Sequence, residues 1–269
     1  MLPATIKDKS IGIESLNTAL NRNHWLRYTV VMLHLTLLKA LINSGFGARR
    51  QAAEAIMRGA VRINGAVVTD LRFVVDTVCD RVTVDGRDIS LKSLPTICLM
   101  MNKPPGVLCT ASDERGRRTV YDLIPEKYRR FKLHAVGRLD KDSTGLILLT
   151  NDGALTYRLT HPRHQREKEY WVQIDGQLTE NDIRLLEQCI ELEDGPALPA
   201  VVHSIAGHQP YNYSIAIYEG RKRQVRRMFA AIGHRVLALK RVRVCGLWLG
   251  DLIEGEVREL SPDEVKLLT

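Results

Sequence analysis

Arg138, Asp140 and Asp142 stand at alternate positions in a polar stretch bounded by Gly137 and Gly145. On extended chain such spacing puts Arg138 and Asp140 on one side. A guanidinium that close favours the ionised form of a carboxylate. A held, ionised carboxylate can act as a nucleophile or a general base. It can equally be half of a structural ion pair, and spacing alone does not separate these readings. Asp140 and Asp142 also form an Asp-x-Asp pair of the kind that binds divalent cations. Lys141 lies between them, however, and no third ligand group follows nearby.

The elements that must position this stretch can be read on either side of it. A short apolar run at residues 134–136 leads in, and Leu146-Ile147-Leu148-Leu149 leads out as a second strand. Further strands are expected at residues 97–101, 170–174 and 213–218, where apolar residues dominate. Thr179 to Asp182 and Ser261 to Glu264 each offer a capping box at a helix start, the second with Pro262 at the first helical position. Residues 97–269 therefore read as a mixed, mainly antiparallel-sheet domain.

A smaller pattern precedes it. Leu37, Leu38, Leu41 and Ile42 recur at helical spacing before Gly45, and a second helix is expected over residues 49–58, stopped by Gly59. Val61-Arg62-Ile63, the turn Asn64-Gly65 and Ala66-Val67-Val68 spell a hairpin, and residues 81–84 a further strand. Arg49, Arg50, Arg58 and Arg62 gather around the second helix and the hairpin. The start of that helix, with its free N–H groups, suits phosphate. Residues 89–95 read as a linker. Residues 1–31 show no periodicity and read as an extension, either a dispensable segment ahead of Met32 as initiator or a genuine one that packs or binds RNA through Lys7, Lys9, Arg22 and Arg27. The fold class is thus α+β, a small α/β domain at residues 32–90 followed by the larger one.

The 269 residues carry a formal net charge of +8, which favours a polyanionic partner. Five cysteines without a Cys-x-x-Cys pair point to a reducing compartment rather than a disulfide framework, and the chain reads as cytoplasmic. No run approaches the roughly 18 apolar residues that span a bilayer.

The order of residues in the front segment, L-x-K-A-L-I-N-S-G-F-G-A-R-R-Q-A-A-E-A-I-M-R-G-A-V-R-I-N-G closing with D-R-V-T-V-D-G, resembles the RNA-binding domain of the ribosomal-protein S-four type. Thr36 replaces a commonly basic residue and Ala48 a common Ser. The segment G-R-L-D-K-D-S-T-G-L beginning at Gly137 is similar to the catalytic signature of ribosomal RNA pseudouridine synthases in the branch carrying that front domain. Lys168-Glu169-Tyr170, the run from Glu219 through Met228 and Asn102-Lys103-Pro104-Pro105-Gly106 agree with it.

The resemblance implies an isomerase that converts a specific uridine of ribosomal RNA, free or in pre-ribosomal particles, to pseudouridine. Asp140 would be the essential carboxylate and Tyr170 would lie against the uracil. Arg226 would pair with Asp140, and Arg138 would help hold the flipped nucleotide. Arg49, Arg50, Arg58, Arg62, Lys103, Lys222, Arg223 and Arg227 are the expected RNA contacts. His161 and His164 are read as facing RNA or solvent rather than metal. The reaction needs no metal or cofactor, and a monomer is expected. Two other classes stay in view: an RNA-binding protein with an inactive second domain, and a metal-dependent nuclease using Asp140 and Asp142.

Overall fold

The computed structural model describes residues 34–269, so the expectations for residues 1–31 and Met32 lie outside the described residues. The chain divides into two compact units, one ending at Leu94 and the other running from Pro95 to Thr269.

In the first unit, β1 (His34–Thr36) leads into α1 (Leu37–Asn43), followed by α2 (Arg49–Met57). The strands are β2 (Val61–Ile63), β3 (Ala66–Val67), β4 (Val74–Asp76), β5 (Val82–Val84) and β6 (Arg87–Ile89). Four of them form a sheet in the order β3-β2-β5-β6, and β1 pairs with β4. Leu37, Leu41, Ala52 and Ile56 from the helices meet Val61, Val82 and Val84 from the sheet in one core. Asn64 and Gly65, at φ 50 and 88, make the expected two-residue turn between β2 and β3. Asp85 and Gly86, at φ 48 and 77, repeat it between β5 and β6. Both central residues of this hairpin turn need positive φ, which explains Asn-Gly and Asp-Gly. The boundary between the units falls within the expected linker at residues 89–95, but most of that stretch is packed on the first unit. Ile89 ends β6, Leu91 is buried in the core, and the Leu94 N–H donates to the Asn43 carbonyl at 2.9 Å.

The second unit is built on a nine-stranded sheet. Its strands relevant to the site are β7 (Cys98–Lys103), β8 (His134–Val136), β9 (Thr144–Thr150) and β10 (Lys168–Ile174). Beyond two short strands, β11 (Glu191–Leu192) and β12 (Gly195–Pro196), come β13 (Val201–Ser204), β14 (Tyr213–Ile217) and β15 (Val236–Val244). A path β13-β14-β10-β15-β9-β7 crosses the sheet. Every residue of β7 is buried, as are all of β9 beyond Thr144, which is how central strands covered on both faces read as continuous apolar runs. All these pairings are antiparallel except β15 with β9, which is parallel and short: Lys240 opposite Thr144, Arg241 opposite Gly145. β8 pairs with the far end of β9, from Val136 opposite Leu148. The chain between β8 and β9 is therefore a wide loop, and β15 seats against its returning leg.

Candidate active site

That wide loop carries Arg138, Leu139, Asp140, Lys141 and Asp142. Leu139 turns inward, 7% exposed, while its neighbours on both sides stay accessible. The Ser143 N–H donates to the Asp140 carbonyl at 3.1 Å, closing a tight turn, and the Gly106 N–H donates to the Lys141 carbonyl at 2.9 Å. From the end of β7, Lys103 reaches under the turn. It is 0% exposed, and its Nζ donates to the carbonyls of Pro104, Lys141 and Ser143 at 2.9, 3.1 and 2.8 Å. Burial pulls its pKa down, opposed by Cys109, Asp142 and Asp140. Lys103 is thus no RNA contact, contrary to the expectation. A lysine with all its N–H donors spent on buried carbonyls has none left for phosphate.

The loop faces a cleft of about 600 Å³. Asp140 and Arg138 line it with Tyr170, and Val136, Leu148, Val225, Ile217 and Leu239 provide apolar surface. Alternation along β10 turns Tyr170, Val172 and Ile174 to one buried face, leaving Tyr170 7% exposed against the cleft. Lys222 and Arg223 stand at the mouth, both exposed. Arg223 adopts a left-handed conformation, φ 52, just before α6 (Gln224–Ala231), α6 being the sixth described helix after α3 (Glu126–Arg129), α4 (Gly153–Thr160) and α5 (Glu180–Glu187). No hydrogen bond from a described residue occupies the Asp140 carboxylate, and no ion pair joins it to Arg138 or Arg226.

The expected Asp140–Arg226 pair is therefore absent among the described residues. Arg226 donates from Nη1 to the Val236 carbonyl at 2.9 Å and lines an adjoining groove with Asp142, Arg223 and His234. Burial, and then Arg223, lower its pKa, while Asp140 and Asp142 act in the opposite sense. Asp142 thus belongs to a cationic groove rather than to a shared site with Asp140. Among the described residues no cluster of three or more His, Cys, Asp or Glu could hold a metal ion. Arg227 is corrected as well: it is tied to Asp194 through contacts of 2.7 and 3.1 Å. In the first unit Arg49 and Arg50 are exposed at the start of α2, Arg58 contacts Asp85 at 2.5 Å, and Arg62 donates to the Gly65 carbonyl at 3.1 Å.

Two further cationic residues line the cleft, Arg241, expected only along the RNA path, and Lys168, expected only as part of the Lys-x-Tyr motif. Arg241, at 4% exposure, lies in the cleft wall with its Nε donating to the Leu146 carbonyl at 2.7 Å. Lys168 lines the cleft beside Tyr170, its Nζ donating to the Arg166 carbonyl at 2.7 Å. Burial first, then Arg241, lower the Lys168 pKa from 10.5 to about 8. Its sign is that of a base destabilised in the folded state. Between pH 8 and 10.5 the unfolded chain holds the proton that the folded chain has released, so stability rises with pH there. Lys168→Met is expected to raise the melting temperature at pH 7 by roughly 2–4 °C, the equivalent of about 1 kcal/mol after screening by partial exposure. It should also flatten the rise above pH 8, and pH-dependent thermal scans of the two proteins check both.

Residues 97–231 match the family described as RNA pseudouridylate synthase, and residues 36–82 match the S4 domain. The chain belongs to the RNA pseudouridylate synthase family. Ribosomal large subunit pseudouridine synthase B of Bacillus subtilis is 40% identical over 235 residues, covering 86% of this chain and 94% of its own. An uncharacterised RNA pseudouridine synthase of Mycobacterium bovis is 42% identical over 235 residues, 86% of this chain and 91% of its own. A crystal structure of a pseudouridylate synthase superposes with a TM-score of 0.62 at 34% identity, over 87% of this chain and all of that one. An S4 domain followed by a synthase domain of mainly antiparallel sheet is thus the architecture of this pseudouridine synthase. Among the described residues no helix is long and apolar enough to cross a membrane.

Within the synthase, Lys103→Met is expected to loosen the Asp140 loop. Each buried carbonyl left without a donor costs about 1–3 kcal/mol. A one- to two-decade fall in kcat should accompany a lower melting temperature, measured by RNA isomerisation and thermal unfolding.

Proposed function

We propose that this synthase isomerises a uridine of ribosomal RNA, in the cytoplasm and as a monomer, with Asp140 as its essential carboxylate. The observation that carries the reading is the placement of Asp140. Its carboxylate is unencumbered at the wall of a cleft that also presents Tyr170 and an apolar surface, on a loop pinned from below by Lys103. The likeness over nearly the whole length of the Bacillus subtilis relative supports ribosomal RNA as the substrate class.

The reaction breaks the bond from uracil N1 to the ribose C1′ and forms one from C5 to C1′. The C5 proton is lost and N1 gains one, so no oxidant or reductant enters. Asp140 serves either by attacking C1′ or by removing the neighbouring ribose proton, and both roles need an ionised carboxylate beside the sugar. Tyr170 packs on the uracil and holds it while it is detached, and its hydroxyl aids the final proton transfer. The apolar wall excludes water, which would otherwise turn isomerisation into hydrolysis. Arg226 supports the loop's carboxylates through space, as the mutual influence of these groups suggests. A uridine within a duplex cannot enter the cleft and must be extruded, with Arg138 at the rim to take its place or hold it. Lys222 and Arg223, and Arg49, Arg50 and Arg62 of the S4 domain, hold the RNA backbone, whereas the Arg58 guanidinium is engaged by Asp85.

The test is to map pseudouridine in ribosomal RNA from a strain lacking this gene, then add the purified protein to that RNA. One uridine should be unmodified in the strain and restored in vitro without added metal. An unchanged pseudouridine map would overturn the reading. Replacing Arg49 and Arg50 by Gln should weaken RNA binding and lower the slope of log K against log salt by about 1.4–1.8, the value for two phosphate contacts. An unaltered slope would show that the S4 domain's helix start does not touch RNA.

A further inference from the structure

Outside the catalytic loop, one surface combines aromatic rings with unbalanced positive charge. It is formed by α4 and the single turn that follows it, Pro162–His164. Tyr157 and His161 lie four residues apart on this helix and its C-terminal cap, with ring centroids 4.7 Å apart, and His164 meets the Tyr157 ring edge-on at 5.6 Å. Tyr157 remains 42% exposed, and the Arg163 guanidinium sits 4.8 Å over its ring. Arg163 Nε donates to His164 Nε2 at 3.1 Å.

Charge here goes uncompensated. Arg81, Arg117, Arg221, Arg227, Arg243 and Arg258 each reach a carboxylate. Arg158 and Arg163 reach none among the described residues, whereas Arg166 Nη1 donates to an oxygen of Thr269 at 3.0 Å; Nε of both Arg158 and Arg166 is buried without any hydrogen-bond partner. Burial first, then Arg163, Arg166, His161 and Arg158, lower the His164 pKa and so disfavour a further charge on this ring. The surface is continuous with the cleft, because Thr160, His161, Pro162 and Arg166 form the cleft wall that also includes Asp140 and Tyr170. Stacked rings beside cations that lack counter-ions are the recurring make-up of single-strand nucleic-acid sites.

We propose that this rim binds the RNA strand flanking the target uridine, a neighbouring base stacking on Tyr157 and its phosphates lying against Arg158 and Arg163. The inference rests on the reading of the cleft as the uridine site. Extrusion of one nucleotide unstacks its neighbours, and a ring platform at the cleft mouth replaces the stacking they lose. Such a contact acts on binding and not on the reacting atoms, so its signature falls on KM.

The test uses the full chain and unmodified transcripts of both ribosomal RNAs, with pseudouridine formation and RNA binding measured side by side. Tyr157→Ala should raise KM roughly 5- to 150-fold, the range for loss of one stacked base, with kcat at saturating RNA within about three-fold. Tyr157→Phe keeps the ring and should restore KM, which a lost hydroxyl contact would not do. Replacing Arg158 and Arg163 together by Gln should lower the salt slope of binding by about 1.4–1.8. If the parent converts uridine while all variants match it in KM and slope, the inference is overturned and the cleft assignment stands. If the parent converts none, both are overturned. A KM effect at Tyr157 without a slope change would keep the stacking contact and overturn the phosphate contacts.

Discussion

Asp140→Asn is expected to leave no measurable isomerisation. The substitution preserves shape and removes the charge that either catalytic role requires, and losses of roughly 10⁴–10⁶ in kcat follow removal of such a group. The loop should not move, because the bonds that shape it come from backbone groups and Lys103 rather than from the Asp140 carboxylate. Melting temperature and RNA affinity should accordingly stay near those of the parent, affinity within a few-fold. Turnover by a folded variant within ten-fold of the parent would remove Asp140 from the chemistry. A variant inactive only because it cannot bind RNA would move the residue from catalysis to recognition.

Gly145→Ala is expected to give the largest loss of stability. Gly145 sits at φ +96, and a Cβ there would lie 2.2 Å from the Arg241 carbonyl oxygen and 2.7 Å from the Arg241 nitrogen. Neither is the tip of a flexible side chain; both belong to the backbone of β15. The conformation costs about 1–3 kcal/mol for a residue other than glycine. Forcing the strands apart adds roughly 1–3 kcal/mol more. A total of about 3 kcal/mol or more lowers the melting temperature by roughly 6–12 °C in a domain of this size. Activity should fall too, since Gly145 is the second residue of the strand that anchors the Asp140 loop. Gly153→Ala is the control: nothing lies within 4 Å of a Cβ there, so the helix start should accept it without loss. Equal melting temperatures for Gly145→Ala and the parent would refute the account of the parallel strand contact.

Local features were legible in the residues themselves. Asn64-Gly65 announces its turn because few other pairs tolerate positive φ twice, and Ser261 and Glu264 announce a helix start because each satisfies the other's backbone N–H. Arg138, Asp140 and Tyr170 were legible through the order of their neighbours, and the cleft does bring these three together. What stayed hidden depends on partners distant in sequence. Lys103 reads as an exposed cation until the carbonyls of Lys141 and Ser143, about forty residues on, are seen around it. Arg227 looks like part of a basic helix until Asp194 appears beside it, 33 residues earlier. Arg226 was placed against Asp140 by resemblance, whereas the described structure holds its guanidinium on the Val236 carbonyl. Periodicity tells which side of a strand faces the core, but not which carbonyl on another strand a long side chain will meet.

The buried ammonium under the Asp140 turn also bears on timing. Because the donors that hold the loop, the three N–H groups of Lys103, belong to the protein's own interior, the loop's conformational freedom is surrendered during folding. The encounter with RNA then has little protein rearrangement to wait for on this side of the cleft. The slow event in complex formation falls to the nucleic acid, in opening the stack around one uridine. Association should therefore quicken when the base pair holding that uridine is weakened, while changes in solvent viscosity that slow loop motion leave the committed step unaltered.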